Sequence, residues 1–233
     1  MIVSLQEELT DNVKKIFKET WTKREGQVVP ESDDITLNND AVLIDGTVLY
    51  ADLNESTNLV NKHEQYFSAE IYKAYLHCAA KIINNEGGII TAYDGDRIMS
   101  VFIGKTKNTD AARTGLKINW VVKNIINPAI KTQYPKSTYE IHQVVGIDTS
   151  SLFVARTGVR GSNDLVWVGR AANFAAKLSG RSFPPTQITA DVYNMLHEKS
   201  KYSANNSNMW IETTAPELGG AKIYTSSWLW ELS

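Results

Sequence analysis

The sequence has little cysteine, no long apolar run and almost no net charge. Cys78 is the single cysteine among 233 residues, which excludes an internal disulfide and a cysteine-rich zinc site. No apolar run approaches the roughly 20 residues that span a bilayer, and no signal-peptide pattern is present. The formal net charge of −2 gives no basic field for nucleic acid. We therefore expect a soluble, cytoplasmic protein that binds neither membranes nor nucleic acid.

Several common functional motifs are also missing. The sequence contains no Walker A, dinucleotide-binding GxGxxG or nucleophile-elbow pattern. The four histidines differ in spacing and neighbours, so no histidine metal cluster is expected; they are His63, His77, His142 and His197.

Two acidic segments each follow an apolar, strand-like run. The first is Tyr50–Asn54, which contains Asp52, and the second is Tyr93–Arg97, which contains Asp96. Carboxylate oxygens are the ligands that Mg²⁺ and Mn²⁺ prefer, and such ions link proteins to nucleotide phosphates. The two aspartates are therefore candidate metal ligands. Taken singly, the Asp-Gly-Asp sequence is more typical of a hairpin turn, and Asp52 of a strand end or helix cap.

A third segment lies downstream, where a strand-like run leads into an amphipathic helix. Asn173 and Lys177 are four residues apart on this helix, so they share one face and can reach the same bound group. An amide and a cation beside a metal site suit phosphoryl transfer, because charge develops on the phosphate oxygens. Alone, such a pair would more often be a solvated helix face.

These segments occur in the order found in class III nucleotidyl cyclases, the family of adenylate and guanylate cyclases. The chain resembles their catalytic domain from about residue 41 to residue 233. The resemblance rests on three blocks: residues 48–57, residues 87–102, and residues 145–149 followed by the helix that contains Asn173. The resemblance implies that Asp52 and Asp96 bind two Mg²⁺ or Mn²⁺ ions per site, and that Asn173 acts on the transition state. Lys177 stands where the family usually has arginine, so a nonenzymatic nucleotide-binding regulator stays an alternative.

The positions that recognise a purine in this family are apolar here. Ala92 and Val166 replace a lysine and an aspartate or threonine, and neither side chain forms hydrogen bonds. Tyr50 replaces the common phenylalanine two residues before the first metal aspartate. The chain thereby resembles the bacterial pyrimidine cyclases of Pycsar antiphage defence. This resemblance implies conversion of UTP into 3′,5′-cyclic UMP and pyrophosphate; a cytidylate cyclase or an adenylate cyclase stays an alternative.

The resemblance also implies further contacts with the nucleotide. The backbone N–H groups of the segment Leu53-Asn54-Glu55-Ser56-Thr57, which enters a predicted helix, are candidates for binding phosphate oxygens at the positive end of that helix. Arg97 and Arg160 are candidate contacts for the base or the phosphates, and Lys222 is a weaker one. Each of these three side chains would, by itself, more often be a surface charge.

The alternation of strands and helices predicts an α+β, ferredoxin-like fold, with an antiparallel-rich sheet flanked by helices. Residues 1–40 are expected to form an amphipathic helix, packed on the domain or a partner, and a polar linker; residues 41–233 form the catalytic domain. Strands are expected near residues 47–53, 88–93, 97–103, 139–148, 152–156 and 164–168. Helices are expected near 56–85, either continuous or broken midway, and near 110–126 and 171–178.

The family resemblance has consequences for partners. In class III cyclases the metal aspartates come from one subunit and the asparagine helix from the other, which implies a homodimer with two composite sites. The cyclic nucleotide would then activate a separate effector protein, since no effector domain is evident in this sequence.

Overall fold

The computed structural model describes residues 4–232, and the chain divides into two compact units. The smaller unit contains Met1–Ile44 and Ser151–Gly169, and the larger contains Asp45–Ser150 and Arg170–Ser233. The division into these two units reflects contacts between residues that are far apart in the sequence. The predicted boundary near residue 40 rests on the sequence pattern alone. That boundary stays a prediction.

Residues 4–232 form nine strands: β1 (Thr22–Glu25), β2 (Asp40–Leu53), β3 (Ile89–Asp94), β4 (Arg97–Phe102), β5 (Gln143–Val159), β6 (Ser162–Val168), β7 (Thr186–Thr189), β8 (Ile211–Ala215) and β9 (Ala221–Ser226). The same residues form eight α-helices: α1 (Leu5–Lys18), α2 (Ser56–Lys62), α3 (Gln65–Asn85), α4 (Lys107–Val121), α5 (Asn127–Gln133), α6 (Arg170–Ser179), α7 (Ala190–Asn194) and α8 (Glu198–Lys201). None of these helices, within the described residues, is long and apolar enough to cross a membrane.

The sheet of the larger unit is mostly antiparallel. Its strands follow the order β3-β4-β2-β5-β7-β9-β8. Antiparallel pairing joins β2 to β4, β3 to β4, β7 to β9 and β8 to β9, whereas β5 and β7 are parallel. Together with the helices that pack on it, this sheet confirms the predicted α+β fold.

The core of the larger unit lies between this sheet and helices α3 and α4. Buried residues of both helices form one apolar cluster with residues of β2, β4 and β5. The buried side chains of α3 recur every three or four residues, as expected for a helix that packs one face on a sheet; they include Phe67, Ile71, Tyr75, Ala79 and Ile82. Close packing of this kind fixes the positions of the strand ends.

The smaller unit contains short strand pairs and the first helix. β1 pairs in parallel with the first residues of β2, and β6 pairs with the last residues of β5. Helix α1 begins with a capping box between Ser4 and Glu7, and it buries none of its residues. The expected packing of its apolar face on the domain is therefore not observed among residues 4–232.

Candidate active site

Asp52 lies at the end of β2, beside the start of β4. It is the register partner of Arg97, and Arg97 is also the partner of Asp94 on β3. Asp96 joins them from the turn between β3 and β4, where Gly95 has a φ of 62°, a conformation that glycine adopts readily. Three neighbouring strands thus bring their charged residues to one edge of the sheet, as the sequence predicts for Asp52 and Asp96.

Arg97 is held between a carboxylate and an aromatic ring. Its Nη2 donates to Oδ2 of Asp94 at 2.7 Å, and its guanidinium carbon lies 5.3 Å from the centre of the Tyr50 ring. Such a cation over an aromatic face is favourable. The Nε of Arg97 is buried and has no acceptor among the described residues. The structure therefore places two predicted substrate contacts, Tyr50 and Arg97, beside Asp52.

The carboxyl group of Asp52 is an unusually weak acid. Burial, and then the negative charge of Asp96, raise its pKa from 3.8 to about 6, although the positive charge of Arg97 opposes this rise. Within residues 4–232 no group of three or more His, Cys, Asp or Glu side chains forms a metal cage. Mg²⁺, however, commonly uses one or two carboxylates together with water and nucleotide phosphates. Asp52 and Asp96 therefore fit a cation that a bound nucleotide also coordinates.

Two tyrosines of α3 lie near these carboxylates and were missed by sequence reasoning. Tyr75 is 1% exposed, and its hydroxyl has no hydrogen-bond partner in the described part of the chain. Burial, together with the charges of Asp52 and Asp96, raises the pKa of Tyr75 well above its ordinary value and also raises that of Tyr72. In the sequence, both tyrosines fit the spacing of apolar residues along a helix. That pattern indicates core packing rather than a functional site.

The backbone N–H groups after Asp52 are predicted contacts for phosphate oxygens, and one of them is already occupied. The N–H of Asn54 donates to the carbonyl oxygen of His142 at 2.9 Å. The N–H of Asn54 thus already has an acceptor inside the protein, whereas phosphate binding by the rest of the segment 53–57 stays a prediction. The reason is a long-range contact: the segment before β5 meets the end of β2, which the local sequence does not reveal.

Helix α6 presents Asn173 and Lys177 one turn apart on its exposed face, while its opposite face buries alanine side chains. Lys177 Nζ lies 3.4 Å from the carbonyl oxygen of Glu217. Within residues 4–232, no hydrogen bond or ion pair joins either side chain to the carboxylates at the end of β2 and in the β3–β4 turn. The amide and the cation are thus adjacent to each other and available to a ligand.

The other predicted contacts are spread over several elements. Arg160 is exposed in the turn between β5 and β6, and Val166 is 40% exposed on β6. Ala92 lies on β3 and offers no polar side-chain group. Lys222 forms an exposed ion pair with Glu212 at 2.9 Å across β8 and β9, and its contact with substrate stays a prediction.

Two curated relatives match the chain over almost its full length. A uridylate cyclase of Xanthomonas perforans is 50% identical over 231 residues, which are 99% of this chain and 100% of that protein. A uridylate cyclase of Burkholderia cepacia is 51% identical over 228 residues, or 95% of this chain and 98% of that protein. The chain belongs to the uridylate cyclase family.

Solved structures of other nucleotidyl cyclases share the fold of this uridylate cyclase family member. The adenylyl cyclase CyaB from P. aeruginosa aligns with a TM-score of 0.66 at 20% identity, over 80% of this chain and 95% of that chain. The guanylyl cyclase Cya2 aligns with a TM-score of 0.67 at 16% identity, over 81% and 94%. No family model matches the sequence. The predicted cyclase resemblance, enzyme class and fold are confirmed.

Neutralising Asp52 is expected to stabilise this uridylate cyclase family member above about pH 6 when metal is absent. A carboxyl group whose pKa is raised by folding contributes stability that is complete below 3.8 and is lost as the pH rises through about 6. Asp52→Asn has no charge to bury. Its free energy of unfolding should therefore exceed that of the wild type by about 1 kcal/mol near pH 8, after allowance for partial exposure, and match it near pH 4.

Urea denaturation in the presence of a chelator, at both pH values, measures this difference. Asp94→Asn is the control, because Asp94 is, like Asp52, a register partner of Arg97 but its side chain is 76% exposed. A difference between Asp52→Asn and the wild type that stays constant from pH 4 to pH 8 would contradict the raised pKa.

Proposed function

We propose that the protein converts UTP into 3′,5′-cyclic UMP and pyrophosphate. The observation that carries this proposal is the 50% identity, over 99% of the chain, to a protein named uridylate cyclase. The side chains present are of the types that this reaction needs, because two carboxylates lie at one sheet edge and α6 exposes an amide and a cation. Ala92 and Val166 offer no hydrogen bonds to a purine, which also favours a pyrimidine substrate.

The reaction is an intramolecular displacement at the α-phosphorus. The ribose 3′ oxygen bonds to this phosphorus, the bond to the oxygen that bridges to the β-phosphate breaks, and the hydroxyl proton passes to solvent. Asp52 and Asp96 would hold two Mg²⁺ or Mn²⁺ ions, whose positive charge favours the ionised 3′ oxygen and the leaving pyrophosphate. Asn173 orients the ribose, and Lys177 faces the charge that develops on the α-phosphate.

We assign recognition of the base to Tyr50 and Arg97. Tyr50 offers a ring face and a hydroxyl near Asp52, and the Arg97 side chain, which is 31% exposed, offers guanidinium N–H groups. A uracil presents carbonyl oxygens that accept such hydrogen bonds. Arg160 and Val166 stay candidate contacts from the β5–β6 hairpin.

We infer further that two copies form a homodimer with composite sites. The exposed face of α6 supports this, since Asn173 and Lys177 make no hydrogen bond or ion pair with Asp52 or Asp96 in the described chain. The cyclic UMP would act in the cytoplasm, where nucleoside triphosphates are found, on a separate effector of an antiphage response. That last role rests on the resemblance to Pycsar cyclases.

Incubation of the purified protein with ATP, GTP, CTP or UTP, each with Mn²⁺, tests the proposed function when products are identified by mass spectrometry. Cyclic UMP from UTP should dominate. Cyclic AMP or cyclic GMP as the main product would overturn the interpretation of Ala92 and Val166, whereas cyclic CMP would retain the mechanism and change the base. A lack of product with every nucleotide would favour a nonenzymatic regulator.

A further inference from the structure

One face of β5 lies directly against α6. Successive residues of a strand point to opposite faces, so Gly146, Asp148 and Ser150 share a face. A Cβ on Gly146 would lie 2.2 Å from the carbonyl oxygen of Ala175, which shows how closely the strand approaches the helix. At the other end of the helix, the N–H of Ala171 donates to Oγ of Ser150 at 3.0 Å. The strand thus contacts α6 along most of the helix's length.

Between these two contacts lies an ion pair whose carboxylate is fully buried and whose guanidinium is partly exposed. Arg170, the first residue of α6, donates from Nε to Oδ2 of Asp148 at 3.0 Å and from Nη2 to the carbonyl oxygen of Thr149 at 2.8 Å. Its Nη2 also pairs with Asp191 of α7. Asp148 has no solvent exposure and accepts a further hydrogen bond from Thr189 Oγ1 at 2.5 Å. One guanidinium therefore ties the start of α6 to β5 and α7.

The same arginine lies in line with the two candidate catalytic side chains. Asn173 is three residues after Arg170 and Lys177 seven residues after it, which is the spacing of one helical face. The Arg170 guanidinium carbon also lies 5.6 Å from the centre of the Phe174 ring. Any shift of this anchored end moves Asn173 with the backbone, and a displacement of about 1 Å at a reacting group can cost about 100-fold in rate.

We propose that Arg170, through Asp148, is a positioning residue that sets the place of Asn173 and Lys177 relative to the substrate. This inference rests on the proposed function of those two side chains. It differs from a merely stabilising ion pair in its consequence: loss of the Arg170 contacts should slow the chemical step more than it weakens nucleotide binding, because the substrate contacts of β2 and β4 are untouched.

The chain offers a matched control in Arg113 on α4. Like Arg170, Arg113 pairs with two carboxylates, those of Glu86 and Asp110, and its side chain is 31% exposed compared with 43% for Arg170. Its partners join α3 to α4 and do not include α6. Replacing either arginine by glutamine removes one guanidinium clamp. The buried carboxylate of Asp148 then lacks its ion-pair partner, whereas Glu86 keeps its ion pair with Lys117 at 2.7 Å.

The experiment compares R170Q, R170K and R113Q by steady-state kinetics with UTP and by calorimetric binding of a non-cyclisable UTP analogue. We expect R170Q to lower kcat by about 30- to 100-fold while KM and the analogue Kd change by less than about threefold. R170K keeps the positive charge but lacks the guanidinium group that reaches Asp148, Thr149 and Asp191 together. Its kcat should therefore fall by about three- to tenfold. R113Q should keep kcat within about twofold of the wild type.

Hydrogen exchange of the α6 backbone amides supplies a readout that does not depend on activity. R170Q should speed exchange in α6 by about tenfold or more, and R113Q should leave it unchanged. Should R170Q fail to fold, R170K carries the same comparison. Unchanged kcat and unchanged α6 exchange in the Arg170 variants would overturn the positioning role. A wild-type protein that makes no cyclic nucleotide would instead contradict the proposed function, and α6 exchange would still decide whether Arg170 fixes the helix.

Discussion

Asp52→Asn and Asp96→Asn should each lower kcat with UTP by about 1,000-fold or more. The two carboxylates meet at one sheet edge, and the charge of Asp96 together with burial raises the pKa of Asp52 to about 6. A divalent cation held by both carboxylates would offset their repulsion and contribute several kcal/mol to the transition state, and each 1.4 kcal/mol or so is tenfold in rate. Steady-state kinetics with Mn²⁺ or Mg²⁺ in excess measures the loss.

Asp94→Asn is the matched control for this prediction. Asp94 lies in the same acidic turn and has its own partner, Arg97, but its side chain is 76% exposed. We expect its kcat to stay within about threefold of the wild type, because the charge of a mostly exposed ion pair contributes little. Mn²⁺ should raise the thermal midpoint of the wild type and of Asp94→Asn, but not that of Asp52→Asn. Activity near the wild-type level in either Asp52→Asn or Asp96→Asn would remove both aspartates from the metal assignment.

Asn173→Ala and Lys177→Ala should each lower kcat by about 100- to 1,000-fold, with a smaller change in KM. Preplaced donors that meet transition-state charge contribute effects of this size. Both side chains lie on the exposed face of α6, one turn apart, and the contact of Lys177 within the protein is a 3.4 Å approach to a carbonyl oxygen. Neither replacement removes a buried contact, so the loss should come from catalysis and not from unfolding.

Lys177→Arg is the informative companion variant. Arginine keeps the positive charge and adds a fork that binds phosphate with two hydrogen bonds, so this variant should retain at least about one third of the wild-type kcat. If Lys177→Ala and Lys177→Arg are both as active as the wild type, the lysine does not meet the α-phosphate.

A mixing experiment separates a composite site from a site within one chain. Asp52→Ala and Asn173→Ala proteins are each expected to be inactive, and heterodimers made from them contain one site in which all the native residues are present. Activity should return to about a quarter of the wild-type level in a statistical mixture, because half of the dimers are mixed and each has one intact site of two. Heterodimers without activity would contradict the shared site.

Local patterns in the sequence are sufficient to place the candidate catalytic residues on their elements, whereas their roles come from the family resemblance. Asp52 and Asp96 follow strand-like runs, and the turn that holds Asp96 is marked by its glycine, whose φ is 62°. Asn173 and Lys177 are four apart in a helical pattern, and α6 exposes both as expected. In each case the pattern that predicts the element extends over a few residues, namely strand alternation, turn residues or helical spacing.

The features that the sequence did not reveal all depend on contacts between distant residues. The N–H of Asn54 is taken by His142, and Arg170 is anchored by Asp148, 22 residues before it. Two separate strands were expected near 139–148 and 152–156, but β5 continues through both because it has partners along its length: β7 at its start and β6 at its end. Tertiary partners of this kind outweigh local propensity.

A competition assay tests whether this protein is a cyclase that selects UTP. The wild type and Asp52→Asn are incubated with ATP, GTP, CTP and UTP together at equal concentrations with Mn²⁺, and all four cyclic nucleotides are quantified by mass spectrometry. We predict that cyclic UMP exceeds each other product by about tenfold or more in the wild type and is absent with Asp52→Asn. A cyclic purine nucleotide as the main product, or equal yields from all four substrates, would contradict the account.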